Sequence, residues 1–114
     1  MRQVGVLACM GVIALEENVD RMAEDHANAQ ILAEGLRSIK GITLDPEVIE
    51  SNIIYFKVDR DINLFASQLA ARGVLCSTDE IYKRCRFITH LNATKDDIVQ
   101  AIEAVAQTIS QEAK

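Results

Sequence analysis

Apolar and polar positions along this chain fall into distinct rhythms. After Arg2 and Gln3, residues 4–15 carry no charge, and Glu16 and Glu17 end the run. A helix of that composition is apolar on every side, so it needs neighbours on several faces. Gly5 and Gly11 within it lower helix propensity but let a neighbour come close. From Val19 onward, Met22, His26, Ala29, Ala33, Leu36 and Ile39 recur at steps of three and four, with Glu24, Asp25 and Arg37 off that line. This is the stripe of an amphipathic helix. Asn18 or Asp20 offers its start, and Lys40-Gly41 its stop: a cation for the last turn, then a residue that tolerates positive φ.

Beyond Gly41 the period shortens. Residues 42–44 form a strand candidate ended by Asp45-Pro46, and residues 52–58, "NIIYFKV", are richer in β-branched and aromatic side chains. The stretch from Asp59 to Asp61 caps a helix running to Arg72, with Leu64, Phe65 and Leu69 inward and Gly73 as terminator. Residues 74–76 read as a short strand, "STDEIYK" as a loop and residues 84–89, "RCRFIT", as another strand. Thr94 and Asp97 have the spacing of a capping box, and Ile98, Ala101, Ile102, Val105 and Ile109 make the last apolar stripe. The order ααββαββα predicts an α+β fold, a small sheet with helices packed on one face. The chain shows no repeat, low-complexity tract or linker, so it reads as one domain with residues 1–15 as an arm that packs elsewhere.

Composition narrows the function classes. At 49% hydrophobic and 25% charged, the 114 residues afford a packed core. Aromatics make up only 4%, with no Trp, and the formal charge of −5 repels a phosphate backbone, which argues against nucleic-acid binding. The uncharged run at 4–15 is too short to cross a membrane and lacks a small-x-small cleavage site before Glu16. No membrane partner is expected, and the expected location is cytoplasmic. Cys9, Cys76 and Cys85 are odd in number and match no zinc spacing, so they read as reduced, buried thiols.

Candidate chemistry is sparse. There is no Gly-rich phosphate loop, no H-E-x-x-H and no G-x-S-x-G. His26 lies on an apolar stripe and reads as a satisfied core histidine. His90 follows a strand, a better place for function, though a lone histidine there also serves structure or simply meets water. "RCRFITH" says more. Strand alternation puts Arg84, Arg86, Ile88 and His90 on one face and Cys85, Phe87 and Thr89 on the other. Two arginines make an odd core face. Either one guanidinium takes a carboxylate through two parallel hydrogen bonds, or charge protects an exposed edge strand. Arg2, ahead of an apolar helix, offers a cation where helix termini attract anions.

Taken together, "MRQVGVLACMGVIALEENVDRMAEDHANAQILAEGL", "NIIYFKV", "RGVLCS" and "RCRFITHLNATKDDI" occur in an order and spacing that closely resembles the C-terminal region of low-specificity L-threonine aldolases. These are fold-type I enzymes dependent on pyridoxal phosphate, and the resemblance spans nearly the whole chain. It implies cleavage of L-threonine or L-allo-threonine to glycine and acetaldehyde. It implies that residues 1–15 are the helix leaving a large cofactor-holding domain and that residues 16–114 are the small C-terminal domain. In the family pattern the arginine of "R-x-x-TH" binds the substrate's α-carboxylate and falls on Arg86. The arginine of "MRQ" lies near the cofactor phosphate, reaching across a dimer interface, and falls on Arg2. The implied partners are therefore an amino-acid substrate, the large domain and a second copy of the chain.

The resemblance also marks a departure. The family's cofactor lysine lies ahead of "MRQ", in a segment these residues do not include, and neither Lys57 nor Lys83 has a basis in the pattern. The chain alone is thus expected to be inactive. Two other readings stay open: a stand-alone α+β binding or assembly module paired through its first helix, and the small domain of a different fold-type I enzyme.

Overall fold

A computed structural model of the chain describes residues 2–111. The elements follow the expected order: α1 (Val4–Glu17), α2 (Met22–Arg37), β1 (Ile42–Leu44), β2 (Ile53–Val58), α3 (Ile62–Ala70), β3 (Ser77–Asp79), β4 (Arg84–Ile88) and α4 (Lys95–Gln111). The expected α+β class is the one found. Four strands make an antiparallel sheet in the order β1-β2-β4-β3, with helices packed on one face.

Alternation in the strands decides which side is covered. In β2, Ile54 and Phe56 are buried while Tyr55 and Lys57 point the other way; in β4, Cys85 and Phe87 are buried, as the pattern predicts. Thr89 just beyond β4 stays on the inner side, where its hydroxyl donates to the Asp25 carbonyl at 2.7 Å. Phe56 is the hub. Its ring meets Phe65 edge-on at 6.1 Å and Phe87 at 5.1 Å, between centroids. Above them Ala29, Leu32, Ala33 and Leu36 of α2 and Ile98 and Val105 of α4 complete the core. At Gly35 a Cβ would collide with the Ile102 side chain, so this glycine lets α2 and α4 approach closely.

Capping fixes the helix starts. The Asp61 carboxylate accepts from the backbone N–H groups of Asn63 at 3.0 Å and Leu64 at 2.8 Å. Thr94 and Asp97 bond reciprocally: Thr94 donates its N–H and hydroxyl to Asp97 at 2.8 and 2.6 Å, and the Asp97 N–H returns to the Thr94 hydroxyl at 3.3 Å. Those bonds hold the Asp97 carboxyl below the usual carboxylate range. The stability linked to that shift is present above the ordinary carboxylate pKa and is lost as pH falls through the lower folded value. Asp61→Ala is expected to cost about 1 kcal/mol in urea unfolding, and Asp61→Asn to restore most of it. Equal losses for both would show that capping is not the cause.

Five expectations need correction. His26 is exposed, and Val19 and Met22 are 50% and 52% exposed, because the buried positions of α2 begin only at Ala29. Leu64 is 50% exposed, because Ile62, Phe65 and Leu69 take the inward positions of α3. Residues 74–76 do not form the strand. The Val74 N–H is still tied to the Leu69 carbonyl at 3.2 Å, behind Gly73 at φ +82°, so pairing begins only at Ser77. The stretch expected as a loop instead makes the β3–β4 hairpin, whose turn is closed by Asp79 accepting from Ile81 and Tyr82 N–H groups at 3.1 and 3.2 Å. Cys9 is exposed on α1 rather than buried; Cys85 is buried and Cys76 half-buried.

No residue of α1 is buried, and Val4, Val6, Leu7, Met10, Val12, Ile13 and Leu15 are all exposed. The described residues leave the most apolar helix of the chain exposed. Among the described residues no helix is long and apolar enough to cross a membrane.

Candidate functional site

The sheet face opposite the helices gathers the polar positions. Register pairs Tyr55 with Arg86, and Arg86 in turn with Ser77. Between them lies an open cavity of about 420 Å³, walled by Tyr55, Ser77, Thr78, Asp79, Glu80, Ile81 and Arg86.

The two arginines of β4 behave differently. Arg84 is fully engaged. Its Nε reaches Asp79 Oδ2 at 3.4 Å, its Nη1 donates to the Asp45 carbonyl at 3.4 Å, and its guanidinium lies 3.9 Å from the Tyr55 ring centroid and 4.7 Å from that of Tyr82. Arg86 has one long hydrogen bond, from Nη2 to the Ser77 hydroxyl at 3.4 Å, and its Nε is buried with no partner. An unmatched buried donor costs about 1–3 kcal/mol, and more when charged, so Arg86 is poised for an acceptor. Among the described residues none of the ion pairs involves Arg86.

The acids in the cavity wall are already matched. Asp79 takes Arg84 and two backbone N–H groups. Glu80 takes Lys83 Nζ at 3.0 Å and the Asn63 amide, and these bonds hold its carboxyl below the usual carboxylate range. With both carboxylates neutralised, the cavity presents a guanidinium fork flanked by a tyrosine and a serine. That arrangement suits a small monoanion bound through two parallel hydrogen bonds.

The other sequence-derived candidates lie elsewhere. Arg2 is exposed at the outer end of α1, beside Gln3 at φ 59°, and is not part of the cavity wall. His90 is exposed on a separate cleft of about 570 Å³ beside Arg72 and Asp97, and its Nδ1 accepts from the Asn92 N–H at 3.2 Å, closing a turn. Tyr55 and Ser77 were missed by sequence reasoning, because their place beside Arg86 depends on strand register. Asp79, an Asx residue three positions before a tyrosine, carried a turn signal.

The described lysines do not fit covalent attachment of pyridoxal phosphate, which needs a desolvated amine. Lys40, Lys57, Lys83 and Lys95 are all exposed, Lys57 is paired with Asp45 at 2.8 Å and Lys83 with Glu80. Among the described residues no group of three or more His, Cys, Asp or Glu could hold a metal.

The backbone has counterparts in larger proteins. With a TM-score of 0.72 and 22% identity, 94% of the chain superposes on 32% of 8-amino-7-oxononanoate synthase from Francisella tularensis. With a TM-score of 0.70 and 15% identity, 90% superposes on 28% of a C-DES mutant with glycine covalently linked to its PLP cofactor. The chain thus shares its fold with a part of each of these two larger proteins. Residues 1–59 match the beta-eliminating lyases, and the chain belongs to that family. Among curated relatives it is 31% identical over 113 residues to low-specificity L-threonine aldolase 1 of Arabidopsis thaliana, covering 96% of this chain and 31% of that protein. It is 32% identical over 101 residues to the low specificity L-threonine aldolase of Escherichia coli K12, covering 88% and 28% respectively. The chain therefore spans about a third of the length of the curated relatives it matches.

Proposed function

We propose that the chain is the C-terminal part of a low-specificity L-threonine aldolase and supplies the group that holds the substrate's α-carboxylate. The observation that supports this is Arg86: a guanidinium with a buried, unmatched Nε in a cavity whose own carboxylates are neutralised. In this reading Arg86 receives the carboxylate of L-threonine or L-allo-threonine and fixes its orientation, while Tyr55 and Ser77 bound the pocket. Orientation is a contribution such a group makes without taking part in bond breaking. Residues 16–114 are the small domain. Residues 1–15 leave a cofactor-holding domain that covers the apolar surface of α1, and Arg2 approaches the cofactor phosphate across a subunit interface. Pyridoxal phosphate, if held by that other domain, would supply the electron sink that such a bond cleavage needs, and this chain's part would be to hold the carboxylate through Arg86.

Because none of the described lysines fits attachment, the purified chain mixed with pyridoxal phosphate and L-threonine is expected to release acetaldehyde at the buffer rate. Release above background would overturn that expectation. The positive counterpart is a chimera in which this chain replaces the segment it matches in the Escherichia coli relative; that chimera is expected to cleave L-threonine. The uncovered apolar surface of α1 also favours a second reading, an assembly module pairing with a copy of itself. Sedimentation with and without residues 1–15 separates the two: self-association lost on deletion, together with an inert chimera, favours the module.

A further inference from the structure

We infer that Arg84 is a positioning residue for the carboxylate site: it engages Asp79 and so keeps Arg86 open to a carboxylate from outside the chain. The inference deepens the reading of Arg86 as a carboxylate anchor and rests on it.

The β3–β4 turn needs an acceptor, and Asp79 supplies it, with Oδ1 taking the Ile81 and Tyr82 N–H groups at 3.1 and 3.2 Å. That puts a carboxylate in the wall of the cavity that contains Arg86. Ladder register pairs Ser77 with Arg86 and Asp79 with Arg84, so Asp79 is the diagonal neighbour of Arg86 on the same face of the sheet. Diagonal neighbours lie about 7–8 Å apart, within reach of a side chain as long as arginine. A carboxylate tethered at that distance competes with any acid that enters, because its effective concentration is high.

Arg84 prevents that pairing. Its Nε lies 3.4 Å from Asp79 Oδ2, with the two side chains only 19% and 28% exposed. Arg84 is itself held in place by the Asp45 carbonyl and by the rings of Tyr55 and Tyr82 on either hand. Glu80, the other acid of the wall, is drawn to Lys83 and Asn63. Arg86 is left with Ser77 and an unmatched Nε. With a neutral residue at position 84, Asp79 Oδ2 loses the ion-pair partner it has among the described residues. The unmatched guanidinium of Arg86 is then the cation in diagonal reach, and a substrate carboxylate has to displace Asp79 from it.

The test uses the aldolase chimera and, in parallel, the full chain labelled for NMR. In the chimera, Arg84→Met is expected to raise KM for L-threonine about tenfold, the factor for an internal contact of about 1.4 kcal/mol that the substrate must break. Adding Asp79→Asn keeps the Oδ1 acceptor for the turn and removes the charge, and is expected to bring KM back close to its starting value. Arg84→Lys, which leaves a cation opposite Asp79, is expected to stay close to it as well. In the chain, Arg84→Met is expected to move the Arg86 Nε–H resonance downfield and slow its exchange with water, and the added Asp79→Asn to reverse both. Should Arg84→Met not fold, Arg84→Gln, which keeps a donor for the Asp45 carbonyl, takes its place. An active chimera in which Arg84→Met leaves KM unchanged, or raises it with no recovery from Asp79→Asn, would overturn the inference and leave the aldolase reading standing. A chimera inactive with both arginines in place would overturn the aldolase reading instead. The Arg86 signal of the chain then decides whether Arg84 keeps Asp79 from Arg86, and a signal unmoved by Arg84→Met would show that it does not.

Discussion

Replacing Arg86 with Met in the aldolase chimera is expected to raise KM for L-threonine by about a hundredfold or more. A guanidinium bound to a carboxylate makes charge-assisted hydrogen bonds worth about 1.5–3 kcal/mol each, and 1.4 kcal/mol is a factor of ten in binding. Methionine keeps much of the side-chain length and removes every donor. Arg86→Lys keeps the charge without the fork, and is expected to recover only part of the loss. Arg84→Met serves as the contrast. Arg84 is already matched by Asp79, the Asp45 carbonyl and two tyrosine rings, so its loss disturbs the hairpin rather than removing a free donor. Arg2→Ala is expected to weaken retention of pyridoxal phosphate while leaving KM for threonine nearly unchanged. An Arg86→Met chimera with wild-type KM, or an Arg2→Ala chimera with wild-type cofactor retention, would each remove the role assigned to that residue.

The largest stability effect is expected at Phe56. Its ring is fully buried at the centre of the sheet and contacts both Phe65 and Phe87. Truncating such a residue loses its transfer free energy and leaves a cavity, for about 3–5 kcal/mol in total. At a urea dependence of about 1–3 kcal/mol per molar, the unfolding midpoint of Phe56→Ala should fall by roughly 2 M. Ile53→Ala, on the other face of the same strand and 38% exposed, is the control and is expected to fall far less. Similar losses at the two positions would mean that the buried face of the sheet is not the one described.

How much of this was legible in the sequence follows from range. Local signals read true. The alternation of "RCRFIT" put Cys85 and Phe87 on one face and Arg84 and Arg86 on the other, the first face is the buried one, and the caps at Asp61 and Thr94 form as their spacing indicates. Signals that depend on what lies across the fold did not. The stripe through Val19, Met22 and His26 is genuinely periodic, but the buried positions of α2 begin only at Ala29. The apolar residues 74–76 look like a strand, yet the end of α3 holds Val74 back. Above all, sequence could name two arginines on one face but could not say which was free. That difference comes from register, which brings Asp79 to Arg84 but a serine and a tyrosine, with no carboxylate, to Arg86.

The central claim is that Arg86 is one part of an amino-acid site completed by a cofactor-holding domain. The most direct measurement is acetaldehyde release from L-threonine by the chimera with Arg86 in place. Release that requires pyridoxal phosphate and collapses at low threonine in the Arg86→Met form is the predicted result. A folded chimera that binds pyridoxal phosphate but releases no acetaldehyde would contradict it.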